Sequence, residues 1–312
     1  MECIRGLYNI RPRHRGAVAT IGNFDGFHRG HRRLIGSLRE RASAFRAPTL
    51  VMVFEPQPQE YFQGTEARPR LMRLSEKLRA LRDAQVDYVL VLRFNARLAA
   101  VSAGAFIDDI LVKTLHVQAL VIGDDFRFGA GRAGDFAMLK EAGVRQGFSV
   151  EPSATFTEGG HRVSSTRLRA VLSEGALDEA RRLLGGPFRY RGRVIRGDAR
   201  GRLLGFPTAN LLMPDPAPLA GVFAVTAEGP DGRCYQGIAN VGRRPTVGGL
   251  HVLLEVHLLD FAGDLYGKPL SVSFLKHLRE ERKFSSLEAL QAQITADRMS
   301  ARAFFAQYEV VS

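Results

Sequence analysis

Apolar positions in the first half of the chain come in short unbroken runs: Ala17–Ile21, Thr49–Phe54, Tyr88–Leu92 and Ala119–Ile122. Between the runs the spacing changes to threes and fours. Leu34, Ile35, Leu38 and Ala42 follow the first run at helical spacing, and Arg73–Gln85 and Ala103–Leu115 read the same way. Continuous apolar strands separated by helices predict a parallel sheet covered on both faces. Ligands of such sheets sit beyond the carboxyl ends of the strands. GNFDG (Gly22–Gly26), EPQP (Glu55–Pro58) and GDDFRFG (Gly123–Gly129) each directly follow a candidate strand. The pattern gathers all three on one edge.

A second pattern starts near Gly185–Pro187. Before it, STRLRAVLSEGALDEARRLLG reads as two short helices. After it, YRGRVIRG, GVFAVTAE, CYQGIANVG, LHVLLEVHLLDF and PLSVSFLKHL are short strand-like runs broken by Gly, Pro and Asp. That is the signature of an antiparallel barrel or sandwich. The final stretch, FSSLEALQAQITADRMSARAFFAQ, returns to helix, with Ser285 or Ser286 as N-cap. The expected division is therefore an α/β domain over residues 1–185 and a β domain over 186–312.

The chain has 312 residues, enough for two domains, and no apolar run approaches the ~20 residues of a membrane helix. Two cysteines, Cys3 and Cys234, offer neither a disulfide framework nor a four-ligand zinc site. A soluble cytoplasmic protein is expected. The net charge of +12 raises nucleic acid as a partner. Yet the charge is spread rather than gathered in runs, and only six of the 44 basic residues are Lys. Positive potential equally suits an enzyme that binds polyphosphates.

The stretch GNFDGFHRGH places His28 and His31 where a strand turns through glycines into a helix. Such a turn presents backbone N–H groups to an anion, and histidines add donors that can carry charge. A polyphosphate suits this better than a metal, because only Asp25 lies close by in sequence as a further ligand. A solvated loop is the competing reading. RVSSTRLRAVL then puts Ser164, Ser165 and Thr166 at a helix start, flanked by Arg162, Arg167 and Arg169. Capping alone would explain the hydroxyls. Hydroxyls, free N–H groups and guanidinium forks together suit a pyrophosphate.

HxGH after a first strand, paired with VSSTRLR, resembles the nucleotidylyltransferase superfamily. With GNFDGFHRGH, VFEPQP and GDDFRFG added, residues 18–185 resemble the FMN adenylyltransferase module of bacterial bifunctional riboflavin kinase/FAD synthetases. The resemblance implies a Rossmann-like parallel sheet in which FMN attacks the α-phosphorus of ATP to give FAD and pyrophosphate. It implies that His28 and His31 hold the ATP phosphates, with Gly22 and its turn beside them. Arg162, Ser165, Thr166 and Arg169 would grip pyrophosphate, and Asn23 and Asp125 would contact nucleotide or magnesium. Phe62, Phe126 and Phe128 are candidates to pack the flavin ring, against the alternative of plain core packing. The family usually reads EPHP where this chain reads EPQP, so Gln57 replaces a titratable group with an amide.

GRVIRGDARGRLLGFPTANL, Gly192–Leu211, is a glycine- and arginine-dense loop. Gly197, Gly201 and Gly205 allow backbone to close over phosphates, and Thr208 and Asn210 offer oxygen ligands suited to Mg²⁺. It is not a Walker A motif. Glu255 lies in an alternating strand, sharing a face with His257 and Leu259, and is a candidate general base for a hydroxyl. An exposed edge-strand glutamate is the alternative. GRLLGFPTAN, GIANVGRRPT, EVHLLDFAGDLYG and LREERKF together resemble the riboflavin kinase module, over residues from about 187 to 308. That resemblance implies a six-stranded antiparallel barrel with a C-terminal helix. It implies Mg-ATP on Thr208 and Asn210, proton acceptance by Glu255 from riboflavin's 5′-hydroxyl, and Arg279 and Phe284 near the flavin.

The implied partners are thus riboflavin, FMN and ATP, with no nucleic acid and no membrane. A homo-oligomer is possible but does not follow from the sequence. A different HxGH adenylyltransferase is the first rival. The second is a basic nucleic-acid-binding protein on a nucleotide-binding fold, which would bind DNA or RNA with steep salt dependence.

Overall fold

The computed structural model describes residues 1–197, 201, 205–246 and 249–308. Arg202, Leu203 and Leu204 of the GRLLGFPTAN motif lie outside the described residues. By contacts the chain forms two compact units. One comprises Met1–Arg68 and Met72–Ser164, the other Pro69–Leu71 and Ser165–Ser312. The two short helices before residue 186 therefore group with the second unit.

The first unit is built on a six-stranded sheet. Its strands are β1 (Glu2–Arg5), β2 (Val18–Ile21), β3 (Thr49–Glu55), β4 (Tyr88–Arg93), β5 (Ala119–Gly123) and β6 (Ser149–Ser153), in the order β1-β4-β3-β2-β5-β6, and all pairs are parallel. The four inner strands are the four apolar runs of the sequence. Alternate residues feed two cores. Ala19, Ile21, Leu50, Met52 and Leu90 pack on one face against the helix Phe106–Thr114 and Leu139. Val18, Val51, Val53 and Val89 pack on the other against Ile35 and Leu38 of the helix Arg29–Phe45. Burying a side chain of this size stabilises by about 1.5–3 kcal/mol. The helix Phe106–Thr114 runs with π-type spacing and carries buried Phe106, Ile107, Ile110 and Leu111. A small antiparallel hairpin, β7 (Thr157–Glu158) and β8 (His161–Arg162), closes the unit.

The basic segment before Gly16 also belongs to this sheet unit. Edge strand β1 pairs with β4, and His14 is buried with its Nε2 3.2 Å from Glu2 Oε1. Arg13 donates to the same carboxylate at 2.9 Å.

In the second unit, β9 (Phe188–Ile195), β10 (Ala209–Leu212), β11 (Gly221–Glu228), β12 (Cys234–Thr246), β13 (Gly249–Leu258) and β14 (Pro269–Arg279) close an antiparallel barrel in the order β10-β13-β12-β11-β14-β9. The helix Leu287–Gln307 packs Ala301 and Phe305 on Ala224, Ile238 and Leu259. Ser286 is its N-cap, accepting from the Ala289 N–H at 3.2 Å. β13 lies between β10 and β12, so Glu255 is not on an edge strand.

Candidate functional sites

β2 ends at Ile21, and the chain turns at once. The Gly22 N–H donates to the Met52 carbonyl at 3.1 Å, which ties the turn to β3. Phe24, Gly26 and Phe27 all have positive φ, at 47°, 82° and 39°. Such conformations cost about 1–3 kcal/mol for a side-chain-bearing residue and persist only when packing enforces them. Here Phe24 and Phe27 are buried in the core under the turn, and buried Asp25 accepts the Met72 N–H at 3.1 Å. Asn23 is left exposed at the tip.

The turn delivers His28 to the N-cap of the helix Arg29–Phe45, where its Nδ1 accepts the His31 N–H at 3.2 Å. With Nδ1 accepting, a neutral His28 carries its proton on Nε2 and presents that as a donor. The two imidazoles are stacked, with centroids 3.7 Å apart and planes 13° from parallel. Burial pushes the His31 pKa well below its ordinary 6.5, and the neighbouring His28 and Lys77 push it the same way. His31 Nδ1 is buried with no hydrogen-bond partner among the described residues. A side chain at Gly30 would crowd His28 Nδ1 at 3.1 Å and the Val163 carbonyl at 3.4 Å, so this position must stay bare.

Arg162 and Asp125, singled out separately in the sequence, meet as an ion pair at 2.8 Å. Ser165 and Thr166 begin the helix Ser165–Ser173, and Arg169 Nε on that helix donates to the Pro69 carbonyl at 2.6 Å. The three phenylalanines diverge. Phe128 is buried between Phe106 and Phe126, and Gly134 stays bare beneath its ring. Phe62 is 67% exposed and meets Tyr61 and Phe94 edge-on. Gln57 N-caps the helix Pro58–Gln63, and its amide Nε2 is buried without a partner among the described residues.

In the barrel, Asn210, Glu255 and Asn240 stand opposite one another across β10, β13 and β12. Glu255 therefore has an amide side chain beside it on each neighbouring strand. Asn240 Nδ2 and Arg244 both donate to Glu255 Oε2, at 3.2 and 3.0 Å. Both also reach Glu281 Oε1, at 3.1 and 2.9 Å. Arg279 takes part in an ion pair within the barrel unit. Its guanidinium forks onto buried Asp297 at 2.9 and 2.7 Å, with Phe284 5.8 Å from it. A cavity of ≈ 400 Å³ opens beside Gly242, Arg243, Val252 and Glu281, a size suited to a small-molecule ligand.

Phe206 and Pro207, just before β10, are each held by a hydrogen bond. The Phe206 N–H donates to the Gly201 carbonyl at 2.7 Å. His257 Nδ1 lies 2.9 Å from the Pro207 carbonyl, which only accepts, so that nitrogen carries the proton. Gly205 has φ +83°, in the region that favours glycine. Asn210 is buried, and its Oδ1 has no partner among the described residues. An amide oxygen stranded beside a carboxylate fits a hard cation such as Mg²⁺, with half-buried Thr208 two residues earlier as the second oxygen. A Cβ at Gly197 would collide with the Asn210 amide, so the glycine lets the chain leaving β9 run beside that side chain.

Asn240, Arg244 and Glu281 were not among the residues singled out by sequence. They lie inside the quoted GIANVGRRPT and LREERKF stretches, but the register that sets Asn240 against Glu255 is not written in either.

Comparison with known proteins gives two family matches. Residues 10–167 match a family described as FAD synthetase, and residues 184–305 match one described as riboflavin kinase. The bifunctional riboflavin kinase/FMN adenylyltransferase of Escherichia coli K12 is 50% identical over 307 residues, 98% of each chain. The Pseudomonas fluorescens protein of the same description is 51% identical over 310 residues, 98% of each. A solved Streptococcus pneumoniae structure, named as a macrolide-efflux protein, superposes with TM-score 0.82 at 30% identity over 97% of this chain and 99% of that one. Among the described residues no helix is long and apolar enough to cross a membrane.

Proposed function

We propose how this chain, which belongs to the bifunctional riboflavin kinase/FMN adenylyltransferase family, divides its two reactions between its two sites. Riboflavin is phosphorylated to FMN in the barrel, and FMN is adenylylated to FAD in the parallel-sheet module. We assign residues 1–185 to the second reaction and 186–312 to the first. The observation that carries this reading is the polar row Asn210–Glu255–Asn240 in one unit and the stacked His28–His31 pair in the other.

In the adenylyltransferase site an FMN phosphate oxygen attacks the α-phosphorus of ATP, and the bond to pyrophosphate breaks. The protein needs no nucleophile of its own; it aligns the two phosphates and stabilises charge. His28 offers its Nε2–H and His31 its open ring nitrogen. An arriving polyphosphate supplies the counter-charge that burial now denies His31, and so lets both rings donate. Arg162, Ser165, Thr166 and Arg169 receive the pyrophosphate. Asn23 and the Gly22 turn contact the nucleotide, with Asp125 steadying Arg162. Exposed Phe62, half-buried Phe126 and buried Phe128 are the candidates to pack the flavin ring.

In the kinase site Glu255 takes the proton from riboflavin's 5′-hydroxyl as that oxygen attacks the γ-phosphorus of ATP and ADP leaves. Thr208 and Asn210 would hold Mg²⁺, which neutralises developing charge on the phosphates when bound. Gly197 and Gly201 keep backbone close to the nucleotide, and Phe284 borders the flavin. The spread positive charge then serves phosphate-bearing substrates rather than nucleic acid. Cytoplasmic placement is part of the same reading, consistent with two exposed unpaired cysteines.

Glu255→Ala should remove FMN formation while sparing adenylylation of supplied FMN, and His28→Ala should do the reverse. Loss of both reactions from either folded variant would overturn the two-site assignment.

A further inference from the structure

Four contacts around Glu255 use only two oxygens. Arg244 donates to Glu255 Oε2 and Glu281 Oε1, and Asn240 Nδ2 donates to the same two atoms. Among the described residues Glu255 Oε1 takes no hydrogen bond. The guanidinium plane is itself fixed, because its NH1 donates to the Arg243 carbonyl at 3.1 Å. Gly242 leaves the room this needs, since a Cβ there would fall on the Glu281 carboxylate.

We propose that Arg244 is a positioning residue for phosphoryl transfer: it pins Oε2 of Glu255 against Glu281 and so leaves Oε1 to meet the acceptor hydroxyl. The inference rests on the reading of Glu255 as the base. Two carboxylates reaching one small volume repel unless a cation sits between them. The three side chains are 29–35% exposed, so water screens that repulsion only in part. Burial works against the charge on Arg244, yet Glu255 and Glu281 outweigh it and raise its pKa above the ordinary arginine value. A lysine would bring the charge without the planar fork that serves both carboxylates and the carbonyl at once. A freely rotating carboxylate would offer its proton-accepting oxygen for only part of the time, which lowers turnover more than substrate binding.

The test is steady-state riboflavin phosphorylation by the full chain with ATP and Mg²⁺. Arg244→Ala should lower kcat by roughly 10- to 100-fold, with KM for riboflavin and ATP within about 3-fold, part of the ~10²–10⁴ a positioned base supplies. Arg244→Lys should lose less. Adding Glu281→Gln to Arg244→Ala should recover at least about 5-fold of kcat, because it removes the like charge. A merely structural arginine would show no such recovery. If thermal melting shows that Arg244→Ala leaves the barrel unfolded, Arg244→Lys carries the test, with about a 5-fold loss in kcat expected. A kcat unchanged within about 2-fold, a loss falling wholly on KM, or no recovery from Glu281→Gln would overturn the proposal. Glu255→Gln is measured alongside. If it keeps its kcat, the assignment of the base is wrong and the proposal falls with it. If it is inactive while Arg244→Ala is fully active, only the role of Arg244 is overturned.

Discussion

His28 and His31 stack face to face, 3.7 Å between ring centroids, at the point where β2 turns into the helix Arg29–Phe45. Burial disfavours a charged His31, and a second imidazolium at that separation would add repulsion. His31 is accordingly held well below its ordinary pKa. In the folded chain His31 is therefore held as the uncharged ring.

That arrangement fixes a sign for the pH dependence of stability. As pH falls through 6.5 the unfolded chain takes up a proton at His31 that the folded chain refuses. Stability is full above that value and declines below it. Between about pH 7.5 and about pH 5.5 the wild type should lose up to ~1.4 kcal/mol more than His31→Gln. Urea unfolding of the N-terminal transition at both pH values measures this. Equal losses would contradict an uncharged His31 in the folded chain.

Gly197→Ala tests the metal reading without touching a ligand atom. The new methyl group would displace the Asn210 amide. Kinase kcat/KM should fall about 10-fold and the Mg²⁺ needed for half-maximal rate should rise, while adenylylation of supplied FMN stays as it was. A Mg²⁺ titration of both activities decides it; an unmoved Mg²⁺ requirement counts against Asn210 as a ligand.

Asp297 is 5% exposed and holds Arg279, with Gln293 as a further donor at 2.7 Å. Asp297→Ala should strand a half-buried guanidinium and cost about 3–5 kcal/mol, read as a lower melting temperature of the barrel transition. A loss of flavin affinity without loss of stability would instead favour Arg279 near the flavin.

The inner strands β2, β3, β4 and β5 were legible because both faces are buried, which leaves unbroken apolar runs. The edge strands β1 and β6 were not. ECIR and SVEPS each face the sheet on one side only, and their polar residues hide them. β10 is four residues, ANLL, and shows no pattern of its own. The His28–His31 turn, the Asp125 and Arg162 positions and the Glu255 strand could be found because motifs carry them. Asn240, Arg244 and Glu281 could not, since strand register and a folded-back loop bring them to Glu255 from 15, 11 and 26 residues away in sequence. Phe128 was ambiguous because an aromatic residue reads the same in a core and in a flavin pocket.

One chromatographic time course tests the central claim that a single chain performs both steps. Purified protein is incubated with riboflavin, ATP and Mg²⁺, and the flavins are separated at intervals, with Glu255→Ala and His28→Ala run in parallel. FMN should appear first and FAD after it in the wild type, FMN without FAD in His28→Ala, and neither product from riboflavin in Glu255→Ala. FAD formed by His28→Ala at the wild-type rate, or FMN formed by Glu255→Ala at the wild-type rate, would contradict it.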